Sequence, residues 1–225
     1  MKRLLQFAIL LFGLNTFSVA QASLPPHQML EDVTQELFTV LKAEQEAINA
    51  KHEHLFELVE RVLLPHVDLD VMSRYVLGKN WRSASEEQRS RFTNEFKNLM
   101  VRFYVSALLE DPAELSSLLA NTDNLISYLP VDTDADTKKT RVRAEVHLPN
   151  GGPRVPVSFS LFMKDNKWMM YDVNVDGISL VNNYRSSFTT EVKRDGMDAL
   201  IERIASRNQE LLQATRDKQA GAKTP

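Results

Sequence analysis

The chain has 225 residues and no cysteine, and its formal net charge at pH 7 is −3. Without cysteine, disulfide frameworks, thiolate metal sites and cysteine nucleophiles are excluded. The acidic balance argues against a nucleic-acid partner, because phosphates are bound by basic surfaces.

The first 22 residues have the pattern of a secretory signal. Lys2 and Arg3 precede a short apolar run, and Ala20-Gln21-Ala22 places small residues at the two positions that a signal peptidase reads. The run is shorter than the roughly 20 apolar residues that a membrane span needs. We therefore expect cleavage after Ala22 and a soluble mature protein in the bacterial periplasm.

Residues 25–109 carry apolar side chains at the three- and four-residue spacing of helices. The spacing predicts one helix over residues 25–41 and a second over residues 52–64. Asp68 can cap a short third helix, which ends at Gly78 because glycine suits the left-handed position after a helix.

A capping box begins the longest predicted helix, over residues 86–109. Ser85 supplies the capping hydroxyl, and Gln88 supplies the amide three residues later. The helix carries one broad apolar stripe of Phe92, Phe96, Leu99, Met100, Phe103, Tyr104, Ala107 and Leu108. Spacing alone is compatible with two interpretations of this stripe, a filled core or the wall of a cavity.

From residue 124 the apolar residues alternate, which is typical of strands with one buried face. Strands are predicted over residues 125–131, 138–148, 155–163 and 167–175. Residues 149–152 and Asp165-Asn166 have the composition of hairpin turns. The pattern predicts a four-stranded antiparallel meander.

After the sheet, which we expect to end at Asp176-Gly177, two further helices are predicted. Ser179 can cap the first, through residue 193, and Gly196 separates it from an amphipathic last helix. The polar residues 213–225 are predicted to form a disordered tail. Residues 23–212 are expected to form one α+β domain in which the long helix packs on the meander, and the space between them is either filled by side chains or an apolar cavity.

The sequence contains no recognisable catalytic constellation. His52 and His54 are two residues apart on a predicted helix and point to different faces, so they cannot chelate one metal ion. Neither a nucleophile elbow nor a glycine-rich phosphate loop is present. Asp172 is the one acidic residue that we considered as a catalytic group. A paired structural carboxylate is the preferred interpretation of this side chain. No catalytic residue, metal or cofactor is predicted.

Two stretches carry a family resemblance. Residues 75–92 read YVLGKNWRSASEEQRSRF and residues 168–188 read WMMYDVNVDGISLVNNYRSSF. Both resemble the MlaC family, also called the toluene-tolerance periplasmic proteins, and helix order, strand order and the signal agree over nearly the whole mature chain. The resemblance implies a non-enzymatic carrier that shuttles phospholipid between the outer and inner membranes and so maintains outer-membrane lipid asymmetry. It implies two partners, an outer-membrane lipoprotein–porin complex and an inner-membrane ABC transporter with an MCE-domain subunit.

The candidate lipid-binding residues follow from the predicted faces and from the two family stretches. Met and Phe suit such a cavity because they adapt to acyl chains of different length. The predicted lining consists of Tyr75, Phe92, Phe96, Met100, Phe103, Tyr104, Val157, Phe159, Leu161, Tyr171, Ile178, Val181, Tyr184 and Phe188. Arg82, Arg143 and Arg185 are candidates for head-group or partner contact, with solvated surface as the alternative.

Two other functions stay open at this point. The first is a periplasmic module that docks a protein on an exposed apolar patch and has no internal cavity. The second is a small-molecule enzyme on a cone-shaped helix-and-sheet fold like that of nuclear transport factor 2, which needs a titratable group in its pocket.

Overall fold

The computed structural model describes residues 24–110, 112–120, 122–134, 136–148 and 152–222. The predicted signal and residues 149–151 of the predicted turn lie outside these ranges. Helices come first along the chain, an antiparallel sheet follows, and two helices complete the α+β fold. Among the described residues, none of the helices has both the length and the apolarity needed to cross a bilayer.

The described part of the chain has nine α-helices and five strands. The helices are α1 (Pro26–Ala43), α2 (Gln45–Ala50), α3 (Glu53–Leu63), α4 (Leu69–Leu77), α5 (Asn80–Ser83), α6 (Glu86–Leu108), α7 (Pro112–Ala120), α8 (Leu180–Asp195) and α9 (Met197–Ala222). The strands are β1 (Ile126–Tyr128), β2 (Lys139–Val146), β3 (Val155–Lys164), β4 (Lys167–Val175) and β5 (Ile178–Ser179).

Local capping signals set the helix limits that the sequence predicts. The side chain of Asp68 accepts a hydrogen bond from the backbone N–H of Val71 at 2.9 Å, and Gly78 ends α4 with a φ of +56°. At the start of α6, Ser85 and Gln88 exchange two hydrogen bonds of 3.1 Å, which confirms the capping box.

The strands form a meander in the order β1-β2-β3-β4-β5. Asp165 and Asn166 both have positive φ, as a two-residue hairpin turn requires. Asp176 and Gly177 also have positive φ, so the chain turns after β4 and β5 pairs with β4. The prediction that the sheet ends at Asp176-Gly177 was therefore wrong, and the sheet has five strands where four were predicted.

The buried side chains form three clusters. One joins α4, α6, α8 and α9, and a second joins α1, α2, α3, α6 and α7. The third lies between α1 and the sheet and contains Met29 and Leu30 together with Leu161 and Trp168. Helix α1 therefore packs on this part of the sheet, α4 and α8 contact β4, and the long helix α6 packs chiefly against α9.

The segment 213–222, for which the sequence predicted a disordered tail, is the last part of α9. Thr215 is buried and lies 3.1 Å from the hydroxyl of Ser106. The guanidinium of Arg216 donates to Glu53 at 2.6 Å. These partners lie far away in the sequence, so composition could not indicate that the polar segment would have something to pack against.

Candidate functional site

One face of the sheet is largely apolar. Residues directly opposite each other on neighbouring strands share a face. Val142 pairs with Phe159, and Phe159 pairs in turn with Val173. We call the other face the polar face, since Arg143 pairs there with Ser158 and is exposed to solvent, although Phe162 lies on it as well. Arg143 therefore lies on the opposite side of the sheet from the predicted lining residue Phe159.

Helix α1 covers only part of the apolar face. Val142 and Leu161 are fully buried beneath it, and a hydrogen bond of 2.6 Å between the hydroxyls of Thr34 and Tyr128 holds the helix to β1. Toward the other end of the sheet, Phe159 is only half-buried and Val175 is 47% exposed. An apolar surface thus continues beyond the edge of α1.

A cavity of about 660 Å³ opens between α1 and the β1 edge of the same face. Ile126 and Tyr128 line its sheet side, and Phe38 with Gln35 lines its helix side. Its volume lies within the range of about 300–1,000 Å³ that is typical of small-molecule sites.

The helical layer carries a second partly exposed apolar surface. On α6, Phe103 is 43% and Tyr104 is 47% exposed, and their rings meet edge to face at 5.3 Å. Leu108 lies one turn after Tyr104 on the same helix and is also exposed. Exposed apolar side chains that adjoin one another mark ligand or protein contacts more often than scattered ones do.

Tyr184 extends this surface from α8. Burial raises the pKa of the Tyr184 phenol to about 12, and the neighbouring Tyr104 contributes to the shift. Burial also raises the pKa of Tyr104. Both phenols therefore stay neutral well above physiological pH. We call Met100, Phe103, Tyr104 and Tyr184 the aromatic surface.

Four predicted lining residues lie behind the aromatic surface. Phe92, Phe96, Val181 and Phe188 belong to the cluster of α4, α6, α8 and α9. The ring of Phe96 contacts the rings of both Tyr184 and Phe188, at centroid distances of 5.4 and 6.1 Å. In this arrangement these side chains support Tyr184 and have almost no accessible surface.

The remaining predicted lining residues are dispersed. Val157 and Leu161 are buried on the apolar face of the sheet, while Ile178 on β5 is 65% exposed. Tyr171 is the extra residue of a bulge in β4 and contacts Phe162, on the polar face. Tyr75 of α4 stacks on Tyr171 at 5.2 Å. The structure therefore brings Tyr75 and Tyr171 together, but away from Phe159.

Asp172 has the geometry of a structural carboxylate. It accepts hydrogen bonds from the Ser179 hydroxyl at 2.8 Å and from the Val181 backbone N–H at 3.0 Å. Both oxygens are thus engaged at the beginning of α8, where negative charge is electrostatically favoured. Among the residues that the structure describes, no three His, Asp or Glu side chains converge as metal ligands would.

A basin of about 960 Å³ lies where α4, α5, α6 and α8 meet. We call it the basic basin, and it is lined by Arg74, Tyr75, Gly78, Lys79, Trp81, Arg82, Arg89 and Arg185. It contains two of the three arginines that the sequence singled out, Arg82 and Arg185. Sequence reasoning missed Arg74, Lys79 and Arg89, although four of the basin's five cations fall within residues 75–92 or one residue before them.

Comparison with known proteins gives consistent results. A family model described as MlaC protein matches residues 31–206. The chain is similar to the toluene tolerance protein ttg2D of Pseudomonas putida, with 30% identity over 178 residues, 79% of this chain and 77% of that protein. It is also similar to the intermembrane phospholipid transport system binding protein MlaC of Haemophilus influenzae, with 26% identity over 205 residues, 88% of this chain and 90% of that protein.

The fold resembles that of a solved phospholipid-binding protein from Ralstonia solanacearum, determined in complex with a phospholipid. The TM-score is 0.69 at 25% sequence identity, and the match covers 83% of this chain and 98% of that chain.

Proposed function

The chain belongs to the MlaC protein family, and we propose that it is a periplasmic carrier that binds phospholipid and shuttles it between the outer and inner membranes. In this role it takes part in maintaining outer-membrane lipid asymmetry. The partners proposed for it are an outer-membrane lipoprotein–porin complex and an inner-membrane ABC transporter with an MCE-domain subunit.

The observation that carries the proposal is the aromatic surface. Phe103 and Tyr104 leave nearly half of their surface open to solvent, although ring burial would stabilise the fold. The neighbouring Tyr184 is partly buried and packs on Phe96 and Phe188 behind it. The uncovered end of the sheet's apolar face provides further apolar area. Adjoining exposed rings suit an apolar ligand better than they suit contact with water.

The free energy of transferring a lipid into water determines how strongly a carrier has to bind it. Each methylene contributes about 0.8 kcal/mol when it leaves water, so a two-chain lipid faces a penalty on the order of 20 kcal/mol. A carrier has to offset most of this penalty and still release its cargo. Rings and the flexible thioether of Met100 can adapt to chains of different length. The polar head group can remain at the mouth of the site, so no deep charge is needed.

We propose that Met100, Phe103, Tyr104, Phe159 and Tyr184 contact the acyl chains. Phe92, Phe96, Val181 and Phe188 form the wall behind Tyr184 and become lining only if α8 moves relative to α6. Leu161 belongs to the buried cluster between α1 and the sheet, and Val157 is buried on the same face of the sheet. Ile178 lies on β5, and Tyr171 of β4 stacks with Tyr75 of α4 on the polar face of the sheet.

Native mass spectrometry of the gently purified protein tests this proposal. We expect one phospholipid per protein, identified in an organic extract of the same material. A protein-only mass together with a lipid-free extract would contradict the carrier function. That result would favour the protein-docking module, for which the exposed rings of Phe103 and Tyr104 are equally suited.

Two matched variants locate the lipid. Phe103→Ser is expected to lower lipid affinity about tenfold, since burial of such a side chain contributes about 1.5–3 kcal/mol. Leu129→Ser is the control: Leu129 is exposed to nearly the same extent, 42%, but it follows β1 on the polar face, opposite Arg143. Equal lipid occupancy in the two variants would show that the aromatic surface is not part of the lipid-binding site.

A further inference from the structure

The basic basin concentrates positive charge on a chain whose net charge is negative. Five cations line it, and none of them forms an ion pair with a carboxylate among the described residues. Like charges around one concavity repel each other, so the arrangement is more stable when an anion is bound. We propose that the basic basin binds an acidic peptide segment of a protein partner. This inference rests on the proposed carrier function, because a carrier has to dock where it loads and unloads its cargo.

Gly78 positions one of the cations. Its φ of +56° ends α4, and a Cβ at this position would lie 2.8 Å from Nε of Arg185. The missing side chain therefore lets the Arg185 guanidinium lie directly against the backbone of Gly78. The close approach brings a cation from α8 to a basin whose other cations come from α4, α5, α6 and the residues between them.

Trp81 organises two more cations. The guanidinium carbons of Arg74 and Arg89 lie 5.9 and 5.6 Å from the centre of its ring, within cation–π distance. Arg89 also donates hydrogen bonds to the carbonyl oxygens of Trp81 at 2.8 Å and of Arg82 at 3.2 Å. These contacts fix the short helix α5 against α6, so the cations are held in place before a ligand binds.

The shape and composition of the basin favour a peptide over a bilayer. A flat membrane surface reaches the rim of a concavity, whereas a protruding chain segment can enter it. Guanidinium groups bind carboxylates through two parallel hydrogen bonds, which gives directional recognition. Tyr75 and Trp81 add apolar contact area beside the cations. Tyr, Trp and Arg are the residue types that are enriched at protein–protein interfaces.

The basin adjoins the proposed lipid site through α8. Arg185 lines the basin, and the preceding residue, Tyr184, belongs to the aromatic surface. A partner that engages Arg185 therefore binds next to the side chain that we place against the acyl chains. This neighbourhood fits a docking site used during transfer of the cargo.

Fluorescence anisotropy with the mature protein and a labelled peptide that repeats Glu-Glu-Leu tests the proposal. We expect binding at low ionic strength that weakens with salt, as screening of charge pairs requires. The double variant Arg82→Glu/Arg185→Glu is expected to weaken binding about tenfold or more, because each substitution replaces attraction by repulsion. Lys79→Glu, a change at a third exposed position of the basin, is expected to weaken it in the same direction.

The matched control is Lys138→Glu/Arg143→Glu. It changes the net charge by the same amount, and both side chains are exposed outside the basin. Equal weakening by the two double variants would mean unspecific attraction and would overturn the proposal. Displacement of the peptide by millimolar inorganic phosphate would also overturn the proposal, because the basin would then be a site for a small anion. Basin-dependent binding to phosphatidylglycerol vesicles without peptide binding would overturn it in favour of a membrane surface.

Lipid occupancy is measured on the same preparations by native mass spectrometry. A lipid-free wild-type protein that still binds the peptide through the basin would contradict the carrier function and leave the peptide site intact. A lipid-loaded wild-type protein without basin-dependent peptide binding would overturn the docking proposal alone.

Discussion

Tyr184 of α8 lies next to Tyr104 of α6, and burial together with this neighbour raises the pKa of the Tyr184 phenol to about 12. Behind it, the ring of Tyr184 contacts Phe96 and Phe188 at 5.4 and 5.3 Å. Tyr184 thus separates a closed aromatic core from a partly exposed aromatic surface. Its partly buried, neutral phenol is compatible with contact to an acyl chain.

The first prediction concerns alkaline pH. An unfolded tyrosine titrates near 10, and the folded Tyr184 titrates near 12. The folded state therefore holds the phenolic proton more tightly. The stability that this adds is complete below pH 10 and is lost as the pH rises toward 12. Urea unfolding of Tyr184→Phe should show a smaller loss of stability over this interval than the wild type, and identical pH profiles would contradict the assigned shift.

The second prediction separates lining from core by enlarging two rings. Phe159→Trp should lower lipid loading, because Phe159 is half-buried on the open part of the sheet. Phe96→Trp should instead destabilise the fold by about 1–3 kcal/mol, because Phe96 is fully buried and an added ring overpacks it. Lipid-to-protein ratios and urea unfolding measure the two effects. Reduced loading with normal stability in Phe96→Trp would instead make Phe96 part of the lipid site.

The third prediction concerns the attachment of the sheet to α4. Burial raises the pKa of Asp68, but hydrogen bonds from Lys164, at 2.6 Å, and from the Val71 backbone outweigh it and lower the pKa below its usual value. The stabilisation is present above the pKa of the unfolded chain, near 3.8, and is lost as the pH falls through the lower folded value.

Asp68→Ala should cost about 0.5–2 kcal/mol through the lost helix cap alone. Asp68→Asn keeps a capping oxygen and should cost less, but it should reduce the loss of stability at acid pH, to which other carboxylates with lowered pKa values, such as Asp195, also contribute. Urea unfolding from neutral pH down to acid pH measures both. An unchanged acid profile in Asp68→Asn would show that other carboxylates control the acid transition.

The fourth prediction compares two glycines with positive φ. Gly78→Ala should cost about 1–3 kcal/mol through backbone strain and should weaken peptide binding, because the new Cβ displaces Arg185. Gly177→Ala is the control: its φ is +84°, but no atom lies within 4 Å of the added Cβ. It should lose stability and keep peptide affinity. Equal peptide affinity in the two variants would mean that Arg185 does not need the space above Gly78.

The elements that the sequence predicted depend on local chemistry. The cap at Asp68, the capping box at Ser85 and the turn at Asp165-Asn166 involve residues within four positions of each other. β5 was missed although Asp176-Gly177 is a strong hairpin signal, because a two-residue strand has almost no periodicity of its own. The helical residues 213–222 were missed because their partners, Ser106 and Glu53, are more than a hundred positions away.

The candidate site shows the same division. Periodicity places Phe92, Phe96 and Phe103 on one stripe of α6, and the family resemblance implies that this stripe contacts the bound lipid. The sequence by itself determined the helix and strand pattern, the family and the chemical character of the stripe. Only the tertiary structure decided that Phe188 and α9 cover Phe92 and Phe96, that Phe103 stays open, and that Arg185 joins the cations beside Trp81. The physical reason is that spacing specifies which way a side chain points, whereas its burial depends on which distant segment packs over it.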